Sequence, residues 1–143
     1  MASVLAEGTT VIEDAACEPE VVDLTNFLNK MGARIEGADT PRIIVEGVKE
    51  LHGAEHEVIS DRIEAGTFLV AGAISGRRVT IARARYDQLT AVTNALEACG
   101  FSLTRTNGAI TIQSKGAVRS LDLRTAPYPG FPTDMQAQMK LDE

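Results

Sequence analysis

The sequence predicts an α+β fold assembled from repeated strand–helix–strand–strand units. Two observations carry this. Displaced by 68 residues, the chain lies over itself: Gly8-Thr9-Thr10-Val11 falls on Gly76-Arg77-Arg78-Val79, residues 20–31 fall on 88–99, and Gly32 falls on Gly100. Periodicity of this kind marks a duplicated supersecondary unit. Short β-branched runs also alternate with stretches of helical spacing, punctuated by glycine and Asn-Gly.

Each element follows from local chemistry. Residues 9–13 are short and rich in Thr, Val and Ile, hence a strand. Residues 20–31 place Val21, Leu24, Phe27, Leu28 and Met31 at helical spacing; Pro19 suits the first turn and Gly32 the stop. Ala33-Arg34-Ile35 and residues 42–46 read as strands, and residues 57–60 as another. Residues 62–74 form an apolar helix on Ile63, Phe68, Leu69 and Val70. Its small residues, Ala65, Gly66, Ala71, Gly72 and Ala73, allow close approach of neighbours. Residues 78–82 are a strand, 87–99 a helix, and 102–104 with 110–113 a hairpin turned by Asn107-Gly108, a strong hairpin signal. From residue 57 to 113 the order is thus β-α-β-α-β-β. A further unit begins at 118–124, and its helix starts near Thr133. The chain is expected to begin and end in the middle of units.

Bulk properties narrow the function. A length of 143 residues suits one ordinary domain or two small ones, and 44% apolar residues with a mean hydropathy of −0.02 support a packed core. Fourteen basic and twenty acidic residues give a net charge of −6. That argues against nucleic acid or an anionic membrane as the main partner, though a small anion could still find a locally basic site. No window approaches the roughly 20 apolar residues of a membrane span, and no secretory signal is evident, so a cytoplasmic location is expected. Cys17 and Cys99 lack metal-ligand spacing and read as free thiols in a reducing compartment. His52 and His56 stand four apart, but Gly53 lies between them and the flanks read as turn and strand, which disfavours a helical metal pair.

The tract TAPYPGFPTDMQAQ, residues 125–138, is the strongest candidate for chemistry. Pro127, Pro129, Gly130 and Pro132 lead into Thr133 and Asp134 at an expected helix start. A rigid loop would thereby present a carboxylate at the positive end of a helix dipole. Asp134 is then either a ligand contact or base, or it only caps or complements its own helix.

PGFPTDMQAQ resembles the signature of the UDP-N-acetylglucosamine 1-carboxyvinyltransferases, the amino-sugar branch of the enolpyruvyl transferase family. LAEGTTVIEDAACEPEVVDLTNFLNKMGARIEG (5–37) and DRIEAGTFLVAGAIS (61–75) resemble the same family, in the same order along nearly the whole chain. The resemblance implies an inside-out barrel of six βαβαββ units in two lobes, helices inside and sheets outside. This chain then matches its central portion, truncated at both ends. Residues 1–59 would end one lobe and 60–143 would start the other, with a junction near Ser60-Asp61.

The resemblance also implies roles. Asp134 matches the aspartate that contacts the accepting sugar hydroxyl and removes its proton, with Thr133 beside it. A sugar hydroxyl is a weak nucleophile, so a proton acceptor within hydrogen-bond reach is chemically apt. Glu18 and Asp61 match carboxylates facing the interlobe cleft, where they help hold the cations that grip phosphoenolpyruvate; charge stabilisation of a helix N-terminus is the alternative for each. Arg62 and Arg124 could also point into that cleft, although exposed arginines usually just solubilise a surface. The family's reactive cysteine lies on a loop outside this chain, so Cys17 is not that residue. The implied activity is transfer of enolpyruvate from phosphoenolpyruvate to the 3-hydroxyl of UDP-N-acetylglucosamine, the first committed step of peptidoglycan synthesis. No metal or organic cofactor is implied. The alternatives are the sister transferase acting on shikimate 3-phosphate, or a noncatalytic binding fragment. The chain alone is expected to be catalytically incomplete, and faces left open by truncation could self-associate.

Overall fold

The structure, a computed structural model, describes residues 1–140. Two compact units follow one another along the chain, Met1–Ile59 and a second that begins at Ser60.

The first unit contains β1 (Thr9–Glu13), α1 (Pro19–Lys30), β2 (Arg34–Glu36) and β3 (Arg42–Glu46). The strands form an antiparallel sheet in the order β1-β3-β2, with Val45 opposite both Thr10 and Ile35. In the central strand β3 the period of two turns Ile43 and Val45 inward, where they meet Val4, Leu28 and Ala33. Asn29 joins helix to sheet: its side chain exchanges two 2.9 Å hydrogen bonds with the backbone of Ile35. His56 holds the segment after β3 against α1. It stacks on Phe27 with ring centroids 5.0 Å apart, and its Nε2 lies 2.9 Å from Asp23 Oδ1.

The second unit contains α2 (Arg62–Ile74), β4 (Val79–Ala82), α3 (Thr90–Ala98), β5 (Phe101–Thr106), β6 (Ala109–Ser114) and α4 (Gln136–Met139). Its antiparallel sheet runs β4-β6-β5. The core gathers Leu69, Val70, Val92, Leu96, Ile110 and Ile112 from the helices and the sheet. Burying each such side chain contributes about 1.5–3 kcal/mol. Glycine lets α2 lie directly on the sheet: a Cβ on Gly72 would stand 2.8 Å from Val79 Cβ and 2.9 Å from Ile112 Cγ2.

The duplication is visible in the topology, since β1-α1-β2-β3 and β4-α3-β5-β6 share element order and sheet order. It reaches the backbone angles. Gly8 and Gly76 have φ of +84° and +64°, Gly32 and Gly100 have +98° and +101°, and Asp39 and Asn107 have +67° and +37°. All three pairs are separated by the 68-residue offset. Asn107 and Gly108 both have positive φ, as the tight hairpin turn requires.

Two expected strands are absent. Residues 57–60 and 118–124 are irregular, so the described order from residue 57 is α-β-α-β-β rather than β-α-β-α-β-β. A strand exists only through a ladder partner, and neither segment finds one among the described residues. Among the described residues, 118–124 have one backbone bond, from Arg119 N to Cys99 O at 2.9 Å.

Candidate functional site

The 125–138 tract folds as a braced loop followed by two short turns. Thr125 and Phe131 form an isolated parallel bridge, Ala126 N donates to Phe131 O at 3.0 Å, and Gly130 N donates to Pro127 O at 2.8 Å. The Tyr128–Pro129 peptide is cis. Phe131 is buried and anchors the loop. A 3₁₀ turn over Thr133–Met135 then runs into α4.

Thr133 and Asp134 lie on the surface of this turn. The residue at its N-cap is Pro132, and no side-chain capping bond is made there or at α4. Asp134 thus makes no cap, and it stands as the acidic residue of the first turn, where the charge complements the helix start. Met135, the next residue, is completely buried. An exposed carboxylate therefore stands on a backbone pinned by Phe131 on one side and Met135 on the other.

Asp61 shows the opposite arrangement. It is the N-cap of α2, and its Oδ1 accepts from Ile63 N at 2.8 Å and Glu64 N at 3.1 Å. This satisfies two of the helix's orphan donors. Its second oxygen makes no hydrogen bond among the described residues. Arg62, next to it, lies with its guanidinium 5.5 Å from the centre of the Tyr128 ring, a cation–π distance. Arg62 and Tyr128 line a cleft of about 280 Å³ with Gln88, Thr90, Pro129 and Pro132. The second unit thus brings Arg62 and Ile63 at the start of α2 and the proline loop before Thr133 to one cleft, whereas Asp61, Thr133 and Asp134 do not line it. Local pattern does not single out Tyr128; its place inside the proline tract is the available signal. Arg124 is exposed.

Glu18 belongs to the first unit. It occupies the N-cap position of α1 with extended backbone, φ −61° and ψ 145°, and makes no side-chain capping bond. Its carbonyl accepts from Val21 N at 2.9 Å, and Pro19 fills the first helical position. Cys17 is half-buried with Sγ 3.7 Å from Ala15 O. Cys99 is buried, and burial pushes its thiol pKa up, which suits an inert core thiol. Among the described residues no three potential ligands gather as a metal site, and His56 is engaged with Asp23 instead.

Residues 1–142 match the family described as EPSP synthase (3-phosphoshikimate 1-carboxyvinyltransferase). The chain belongs to this family, the carboxyvinyl or enolpyruvyl transferases. A protein of Caldanaerobacter subterraneus subsp. tengcongensis named UDP-N-acetylglucosamine 1-carboxyvinyltransferase 1 is 56% identical over 139 residues, covering 97% of this chain and 34% of its own length. An Akkermansia muciniphila protein named UDP-N-acetylglucosamine 1-carboxyvinyltransferase is 56% identical over 141 residues, covering 97% of this chain and 33% of its own. The chain thus spans about a third of the length of these transferase relatives.

Solved enolpyruvyl transferases share the fold. That of NikO from Streptomyces tendae aligns with a TM-score of 0.81 at 23% identity, over 96% of this chain and 33% of that one. EPSP synthase from Acinetobacter baumannii aligns with a TM-score of 0.52 at 26% identity, over 88% and 30%. The α+β enolpyruvyl transferase fold expected from sequence is borne out. No helix among the described residues is long and apolar enough to cross a membrane.

Proposed function

We propose that the chain is a segment of a UDP-N-acetylglucosamine 1-carboxyvinyltransferase, which moves enolpyruvate from phosphoenolpyruvate to the sugar 3-hydroxyl and releases phosphate. The identity to proteins of that name, 51–56% across at least 97% of the chain, carries the reading. Residues 1–59 are read as the end of one lobe and 60–143 as the start of the other. The activity belongs to a cytoplasmic enzyme of peptidoglycan synthesis that uses no metal or organic cofactor.

Asp134 is the base that takes the hydroxyl proton as the new C–O bond forms, with Thr133 as a neighbouring substrate contact. Two observations favour this: Asp134 is exposed, and it is not spent on a cap. Its carboxylate is free to accept a proton, and its backbone is braced enough to hold it in place. Glu18 and Asp61 are read as cleft carboxylates. For Asp61 the cap leaves one oxygen available for that role.

The test transplants residues 1–143 into the Caldanaerobacter subterraneus relative and measures single-turnover rate and thermal stability. Asp134→Asn and Asp134→Ala should each slow the chemical step by about 10²–10⁴-fold with little change in melting temperature, because Asn keeps the shape but accepts no proton at neutral pH. If Asp134→Asn keeps nearly full rate, the base assignment is wrong. Turnover with shikimate 3-phosphate in place of the amino sugar would instead favour the activity named in the family description.

A further inference from the structure

Asp134 stands on a turn too short to hold itself. Thr133–Met135 is a single 3₁₀ turn and α4 spans four residues. Helices of that length do not persist alone in water. Phe131 anchors the chain before the turn, and the hold on the turn itself and on α4 comes from the element beneath them, which is α2.

Three contacts with α2 supply the hold. The Met135 side chain lies over Gly66, where a Cβ would be 3.1 Å from its Sδ and Cε. Gln138 Nε2 donates to Thr67 Oγ1 at 3.1 Å. Thr67 Oγ1 also lies 3.8 Å from Met135 Sδ and donates to Ile63 O at 2.8 Å. A threonine hydroxyl carries one proton and two lone pairs. The proton goes to the Ile63 carbonyl of the preceding turn and fixes the rotamer, which aims a lone pair at Gln138. The Gln138 Oε1 is buried and has no partner among the described residues. The bond from Nε2 to Thr67 is therefore the contact that orients this amide.

We infer that Thr67 is a positioning residue, holding through Gln138 and Met135 the turn that aims the Asp134 carboxylate. The role in catalysis rests on the reading of Asp134 as the proton acceptor, whereas the hold itself does not. Thr67→Val is nearly isosteric but removes the lone pair that receives Gln138. Thr67→Ser restores it. A displacement of about 1 Å at a reacting group can cost on the order of 10²-fold.

The experiment uses the transplanted enzyme and two readouts. Amide hydrogen exchange tests the hold: Thr67→Val and Gln138→Leu should speed exchange across residues 135–139 while leaving the β5–β6 hairpin unchanged. Single-turnover kinetics test the consequence. Thr67→Val should lower the rate about 10–100-fold with KM within about threefold of the parent, and Thr67→Ser should recover most of it. In an Asp134→Asn background Thr67→Val should add less than about a twofold loss, because the group it positions is already disabled. Unchanged exchange across 135–139 overturns the inference, and so does an equal loss in both backgrounds. Full rate for Asp134→Asn with faster exchange in Thr67→Val would sink only the base assignment and leave the hold standing.

Discussion

Replacing Gly72 by alanine should destabilise the second unit even though alanine is the better helix former. In an exposed helix the change would gain about 1 kcal/mol. At Gly72 the new methyl meets Val79 Cβ at 2.8 Å and Ile112 Cγ2 at 2.9 Å, where ordinary contact begins at 3.4 Å. Neither neighbour can swing aside. Val79 Cβ is fixed to the β4 backbone, and β-branched side chains are stiff at χ1. Relief requires α2 and the sheet to part by about 0.6 Å, the difference between 2.8 and 3.4 Å. A gap of 0.5–1 Å forfeits roughly a quarter to a half of each contact along the seam, which includes Leu69 and Ile112. Overpacking of this kind costs about 1–3 kcal/mol. At the upper end, offset by the propensity gain, the net loss is about 2 kcal/mol. For a unit of this size that lowers the melting temperature by roughly 10 °C. Gly66→Ala provides the contrast, because its neighbour at 3.1 Å is the flexible end of Met135, which can give way. Its stability should stay within about 1 kcal/mol of the parent. The assay is denaturant unfolding of the chain and both variants, followed by far-UV circular dichroism. A Gly72→Ala chain as stable as the parent would refute the reasoning.

Asp61→Ala should cost about 1 kcal/mol by removing two bonds at the start of α2, whereas Asp61→Asn should be nearly neutral; denaturant midpoints separate them. Cys99 should react with a thiol reagent far more slowly than Cys17, as mass-resolved labelling of the folded chain will report. Because burial raises the Cys99 pKa above its ordinary 9.0, its contribution to stability is complete below that pH. It erodes as pH rises toward the folded value, so unfolding midpoints should fall on the alkaline side. The 143-residue chain alone should release no phosphate from phosphoenolpyruvate and UDP-N-acetylglucosamine, since it spans about a third of its relatives' length. Steady turnover by the purified chain would contradict this.

Elements closed by short-range chemistry were readable from sequence. Pro19 starts α1, Asn107-Gly108 turns the β5–β6 hairpin, and Gly32 ends a helix just where Gly100 does. Residues 57–60 hold Val58 and Ile59, and residues 118–124 hold Val118, Leu121 and Leu123, but apolar composition cannot supply a ladder partner. The two aspartates make the same point at the site. Asp61 and Asp134 both precede helical pattern, yet only Asp61 has the extended backbone of an N-cap, φ −71° and ψ 113°, whereas Asp134 sits inside its 3₁₀ turn. Propensity ranks the two alike, so the difference comes from the proline loop. The contact between Thr67 and Gln138 joins residues 71 apart, and no local pattern announces it.

The matched turns of the two repeats bear on the history of the chain. Sequence between the copies has drifted until few positions agree, yet the left-handed angles at 8 and 76, 32 and 100, and 39 and 107 persist. The third pair is the telling one, because Asp39 and Asn107 are not glycines. What passed to both copies is the sign of φ, and each copy has since filled the position from the few residues that tolerate it. A backbone that must turn left leaves mutation a short menu, whereas a strand face or a helix surface leaves a long one. The chain keeps a record of its own copying in six dihedral angles, at positions where drift had nowhere else to go.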